Sequence, residues 1–343
     1  MEFISEYGMF VAKTLTIVLS ILVVVIGIIV AATRSKEHHE QAQIEITKLN
    51  EKYDDVSMSM NSLMLSKDEM KQVEKEHKDK EKATKKAKST TDKQRIFVLD
   101  FDGDIKASAV THLREEITAI LMVARKQDEV FVRLQSAGGM VHTYGLAASQ
   151  LKRIRDKEIH LTISVDKVAA SGGYMMACVA NTILAAPFAI LGSIGVVAQM
   201  PNFNRLLKKH DVDFEMVTAG EYKRTLTMFG ENTDESRKKF KEDIEDVHVL
   251  FKDFVKSERP IVDIEKVSTG EYWFGTRAKE LALVDELKTS DDYLLEKVKS
   301  ADLYKVTQVE KKSLSDKFSG FLQNVSEKVL VGLQTKTNEN RLS

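Results

Sequence analysis

A single cysteine in 343 residues excludes any disulfide within the chain, and it leaves the compartment open, because a protein without disulfides can live anywhere. That residue, Cys178, lies in an apolar run. An excess of one charge is lacking too: 51 Lys and Arg against 52 Asp and Glu leave a net charge of −1, so no overall basic field recruits nucleic acid. The eight histidines show no HExxH or comparable ligand spacing, so no metal is expected, and no cofactor either. There is no GxSxG elbow, and His142, His160, His210 and His248 read as surface or helix residues rather than as bases.

What is present is ordinary in amount and uneven in placement. The length holds one large domain or two ordinary ones. Residues 15–33, LTIVLSILVVVIGIIVAAT, are uncharged and mostly apolar, and as a helix they just span a bilayer core of roughly 30 Å. AAT could be a cleavage site, but the run exceeds the core of an ordinary signal peptide, which favours a retained anchor. In residues 34–95, 28 of 62 positions are Asp, Glu, Lys or Arg. Ile46, Leu49, Tyr53, Val56, Met60 and Leu63 form a heptad seam there, which suits a short coiled coil or an amphipathic helix on the protein's own body. KEHKDKEKATKKAK (75–88) has seven lysines and no apolar periodicity, and reads as a solvated linker; it lacks the interleaved aromatics that stack bases.

From residue 96 the texture is globular. RIFVLDFDG (95–103), EVFVRLQS (129–136) and HLTISVD (160–166) read as strands, with helices over 111–126 and 142–156 between them. Strands alternating with helices point to βαβ units and a parallel-rich sheet. The uncharged run 182–200 is broken by Pro187, Gly192, Ser193 and Gly195, so it reads as buried short strands rather than a second span. DFEMVTAG (213–220) looks like another strand, and a charged helix is expected from about Asp234 to Ser257. The last 30 residues carry a helical apolar stripe from Leu314 to Leu333, expected to pack on the protein itself.

The chemistry centres on VDKVAASGGYMMACVAN (165–181). Ser171 precedes two glycines at a strand-to-helix junction, where free N–H groups and the helix dipole favour a developing oxyanion. Gly172 is the nearest donor, and Gly139 in SAGGM (136–140) is the candidate second. Small-Ser-Gly-Gly turns are common in plain α/β domains, so the serine needs a base to be a nucleophile. A lysine buried away from carboxylates can serve, since burial lowers its pKa by up to ~3–5 units. Lys223 in AGEYKRTLTMF is the candidate.

The ordered series SAGGMV, VAASGGYMMA, GSIGVV, GEYKR and AKELALVDEL resembles the signal peptide peptidase A family of membrane-anchored serine proteases, peptidase family S49, and most of all its short, single-domain members. The resemblance covers roughly residues 95–295. It implies a ClpP/crotonase-like spiral α/β fold with a Ser–Lys dyad: Ser171 matches the nucleophile, Lys223 the general base, Ser193 the serine that hydrogen-bonds the base, and Gly139 and Gly172 the oxyanion positions. It further implies peptide substrates and a ring-like homo-oligomer with sites between protomers. The chain has Ser136-Ala137-Gly138-Gly139 where the family often has Ser-Pro-Gly-Gly, and lacks the proline that often follows the base.

The expected organisation is a tail (1–14), an anchor (15–33), a charged helical or coiled-coil segment with a linker (34–94), a peptidase domain (95–297) and a tail with an amphipathic helix (298–343). The resemblance puts the anchor in the bacterial inner membrane and the catalytic domain in the periplasm. Charge counting argues the reverse, with Lys13 before the span and Arg34, Lys36, Lys48 and Lys52 after it. Two other readings compete: a non-catalytic membrane scaffold with a peptidase-like core, and a crotonase-fold acyl-transfer enzyme, against which the Ser171–Lys223 pair argues.

Overall fold

The computed structural model describes residues 8–21, 43–87 and 93–309. They fall in two compact units, Met1–Gln43 with Val309–Ser343, and Ile44–Gln308. In the first, helix α1 covers residues 8–21. Among the described residues no helix is long and apolar enough to cross a membrane. Residues 22–33 of the expected span lie outside them, as does the C-terminal stripe.

The larger unit begins with β1 (Gln43–Lys48), α2 (Leu49–Met64) and α3 (Lys67–Ala87). The heptad seam is helical only from Leu49, because Ile46 sits in β1 and is exposed. Leu49 is buried, and Asn50 pins the start of α2 by donating to the Val298 and Ala301 carbonyls and accepting from the Leu303 N–H. Farther along, Val56, Met60 and Leu63 are exposed. Ser66 and Glu69 exchange side-chain to backbone bonds in a capping box that starts α3. That helix continues to Ala87, where the lysine-rich run suggested a linker. Lys, Glu and Ala are strong helix formers, and the run contains neither glycine nor proline to stop them.

The remaining strands are β2 (Arg95–Gly103), β3 (Glu129–Ser136), β4 (His160–Val165), β5 (Val168–Ala170), β6 (Thr182–Ala185), β7 (Ile190–Gly192), β8 (Tyr272–Phe274), β9 (Glu286–Leu287) and β10 (Asp302–Val309). The helices are α4 (Val110–Val123), α5 (Val141–Asp156), α6 (Gly172–Ala177), α7 (Asn204–Lys209), α8 (Asp234–Glu258), α9 (Ile264–Val267), α10 (Gly275–Glu280) and α11 (Ser290–Lys297). The main sheet runs β1-β10-β2-β3-β4-β6-β9, and a branch leaves it as β5 pairs with β3 and β7, and β7 with β8. From β10 to β9 and along β3-β5-β7 the pairings are parallel; β7 and β8 run antiparallel. The α/β class with a parallel-rich sheet is therefore as expected.

Both faces of the sheet are covered, which is why its strands read as near-continuous apolar runs. Phe97, Leu99 and Phe101 of β2 pack with α4 and α5 through Leu113, Ile117, Tyr144 and Leu151. Ile96 and Val98 face the opposite side, with Leu49, Phe131 and Leu294. The run 182–200 forms β6 and β7, whose strand residues are mostly buried, but Phe188 in the turn between them is 83% exposed and Val197 beyond them 78%. Residues 213–220 are not a strand: they are exposed and have no strand beside them among the described residues. A strand's backbone groups need a partner, and apolar composition alone does not supply one.

Candidate functional site

Three neighbouring parallel strands, β3, β5 and β7, end at one place. Ser136 pairs with Ala169, and Ala170 with Gly192. Ligand sites of α/β sheets lie beyond such carboxyl ends. The chain leaving β3 passes through residues 137–140 into α5, and the chain leaving β5 turns at Ser171 into α6.

Ser171 takes φ 52° and ψ −119°, a conformation rare for a residue with a Cβ. Its N–H donates to the Gly192 carbonyl at 2.8 Å, which holds the turn against β7. A serine at a helix N-cap usually spends its hydroxyl on the first turn, but Ser171 makes no side-chain cap bond, so its Oγ is left for other work. Beside it Ser193 has φ 51° and donates its N–H to the Glu271 carbonyl at 2.7 Å.

Ser171, Gly172 and Gly139 line one cavity of about 20 Å³, roughly the room of a single water. Val141, Met175, Gly195, Val196, Val247 and Phe251 complete it. Among the described residues the Gly139 N–H has no acceptor, and Gly172 opens α6, whose first N–H groups have no intrahelical partner. Two donors and a hydroxyl thus share a small, apolar-walled cavity. A side chain at Gly139 would bring its Cβ within 2.1 Å of the Ile105 carbonyl oxygen, so only glycine fits that close approach.

Lys223 is elsewhere. It is exposed, on the stretch of residues 212–233 that has neither helix nor strand, and it does not line the cavity. Its N–H donates to the Gly220 carbonyl at 3.2 Å. A single chain therefore brings Ser171, Gly139 and Gly172 together, with Ser193 one residue past β7, but not Lys223. Neighbouring Tyr222 stacks near Lys239, whose ammonium lies 5.3 Å from the ring centre.

Val247 and Phe251, four residues apart on one face of α8, are lining residues that sequence reading missed. Their only sequence signal is the apolar spacing within a charged helix, which reads equally well as core. Cys178, near in sequence, is no competing nucleophile: it is buried, and burial pushes its thiol far above the usual range. A roomier cleft of about 270 Å³ opens over Asp100, Asp102, Arg133, Ser164 and Lys167. There Asp100 is already bonded to Arg133 at 2.6 Å and Lys305 at 2.8 Å, so size does not make it the reactive site. Among the described residues no group of His, Cys, Asp and Glu could hold a metal.

The profile described as "Peptidase family S49 N-terminal" matches residues 2–151, and that described as "Peptidase family S49" matches 153–304. A protein of Haemophilus influenzae named "Probable protease SohB" is 48% identical, with 99% of this chain and 98% of that protein aligned. One of the same name from Buchnera aphidicola subsp. Acyrthosiphon pisum is 50% identical over 96% of this chain and 97% of its own length. Among solved structures, a mutant of the "1510-N membrane-bound stomatin-specific protease" aligns with 60% of this chain and 86% of its own, at a TM-score of 0.42 and 14% identity.

Proposed function

The chain belongs to peptidase family S49, and on that premise we propose that it is a membrane-anchored serine endopeptidase with a Ser171–Lys223 dyad. The observation that carries this reading is Ser171 itself: an uncapped hydroxyl on a strained turn, in one small cavity with two free N–H donors. In the mechanism, unprotonated Lys223 takes the Oγ proton as Oγ attacks a peptide carbonyl, and the Gly139 and Gly172 N–H groups hold the oxyanion. Lys223 then protonates the leaving amine and takes the proton of the water that hydrolyses the acyl-enzyme. Ser193 hydrogen-bonds the lysine and orients it.

Since Lys223 is exposed and off the cavity in one chain, the dyad is completed by a neighbouring protomer in a ring-like homo-oligomer. The character of the lysine's own segment supports this. It exposes Phe214, Val217 and Tyr222, with Val217 97% exposed, apolar surface of the kind an interface covers. The small apolar cavity suits a small side chain beside the cleaved bond. Extended peptides released in or near the membrane, remnant signal peptides among them, are the substrates. Residues 15–33 anchor the enzyme in the bacterial inner membrane, with its catalytic domain in the periplasm; the inherited resemblance outweighs the charge count here.

Turnover of a quenched apolar peptide by detergent-solubilised protein tests the activity. Wild type should cleave with a rate that rises through a single ionisation between about pH 6 and 10. Ser171→Ala should remain folded and inactive, and should lose labelling by a fluorophosphonate. A wild type that neither cleaves nor labels would leave a scaffold with a peptidase-like core.

A further inference from the structure

We propose that Tyr144 is a positioning residue for the oxyanion donor Gly139, a role that rests on the peptidase reading of Ser171. Tyr144 lies in the first turn of α5 and is fully buried. Its ring lies against the start of α6, where a Cβ added at Gly172 would come within 2.4 Å of Tyr144 Cγ. Its hydroxyl donates to the Asp104 carbonyl at 2.7 Å. The phenol has one proton, so towards Ser136 Oγ, 2.5 Å away, it must accept. Ser136 Oγ in turn accepts the Gly138 N–H at 3.0 Å.

These bonds form a directed chain: Gly138 N–H to Ser136, Ser136 O–H to Tyr144, Tyr144 O–H to Asp104. Bonds in such a chain polarise one another. On the other side of the turn, the Met140 N–H donates to the Ile105 carbonyl at 2.9 Å. The peptide groups before and after the Gly138–Gly139 peptide are therefore both tied to the loop that follows β2. Between the two ties the Gly139 N–H is held in place and left without an acceptor, as an oxyanion donor must be. Gly138, at φ 88°, touches the other donor's strand-to-helix turn: a Cβ there would lie 2.8 Å from the Gly172 nitrogen. Tyr144 thus braces both turns, the first through its hydroxyl and the second through its ring.

Removing the hydroxyl alone separates these contributions. In Tyr144→Phe the ring packing stays, but the Ser136 hydroxyl loses its acceptor at 2.5 Å and keeps only the Gly103 carbonyl at 3.4 Å, so the oxygen that holds the Gly138 N–H is no longer fixed. Preorganised donors act in the transition state, so kcat of the full-length protein on a quenched apolar peptide should fall about 10- to 100-fold with KM within about twofold. Ser136→Ala cuts the same chain one link earlier and should do the same. The double variant should be no slower than the worse single one, because the two act as a unit. Hydrogen exchange over residues 136–140 should quicken in both variants. Full kcat in Tyr144→Phe, a loss confined to KM, or additive losses would each overturn the role; if Tyr144→Phe does not fold, Ser136→Ala decides by the same readings. A wild type without turnover, with slow exchange over 136–140, would overturn the peptidase reading, and the positioning role would fall with it.

Discussion

Asp128 is the residue at which stability and pH are most tightly joined. Its side chain is fully buried and accepts from the backbone N–H of Arg125 at 2.8 Å, from the backbone and guanidinium of Arg95, and from the Arg125 guanidinium. Burial alone would raise its pKa, but the bonds from Arg95 and Arg125 more than offset that and hold the carboxyl below its ordinary value. A carboxylate whose folded pKa is depressed contributes stability above its unfolded pKa and loses it as pH falls through the folded one. Asp128→Asn should therefore cost about 2 kcal/mol at pH 7, read by urea denaturation, since it sets an amide NH2 in place of one buried carboxylate oxygen against the donors of Arg95 and Arg125. The difference from wild type should shrink as pH falls below about 4. A deficit that stays constant down to pH 2 would mean that the carboxylate's charge is not what holds the turn after α4 to the start of β2.

At the scale of elements, α8 does two things with one face. Phe251 is 4% exposed and belongs to the main core, whereas Val247 is only half-buried and lies one turn earlier on the same cavity wall. Truncating Phe251 would cost about 3–5 kcal/mol and confuse stability with specificity, so Val247 is the cleaner probe. Val247→Ala should widen the cavity and raise kcat/KM for a peptide with leucine before the cleaved bond about 10-fold relative to one with alanine. An unchanged ratio would remove α8 from the specificity wall. The same helix marks how far the chain could be read without coordinates. Its span, Asp234–Glu258 against an expected end near Ser257, follows from its charged amphipathic pattern, and β2, β3 and β4 follow from apolar-rich runs that both layers of the core demand. Residues 213–220 misled because strand composition was present and a partner strand was not. That Ser171, Gly172 and Gly139 would lie close together was legible because their turns need small residues in a row, and each turn adjoins a strand. The contacts of Tyr144 and Val247 were not, because they are made with loops and helices far off in sequence.

On the scale of the whole molecule, the chain carries both residues of the proposed dyad, Ser171 lining the cavity and Lys223 off it. The segment around Lys223 has a cluster of its own, in which Phe229 lies 6.1 Å from Phe203 and 5.7 Å from Phe214. Those ring contacts tie residues on both sides of Lys223 together, and the proposed role of the lysine is to meet the Ser171 of a neighbouring protomer. The measurement that tests this most directly is complementation. Ser171→Ala and Lys223→Ala proteins, each inactive alone, are dissociated, mixed and reassembled, and peptide hydrolysis is followed. Activity should return in the mixture, because some interfaces then pair an intact serine from one protomer with an intact lysine from the next. A reassembled mixed oligomer as inert as its parents, beside an active wild type, would contradict it and require both residues of the dyad to come from one chain.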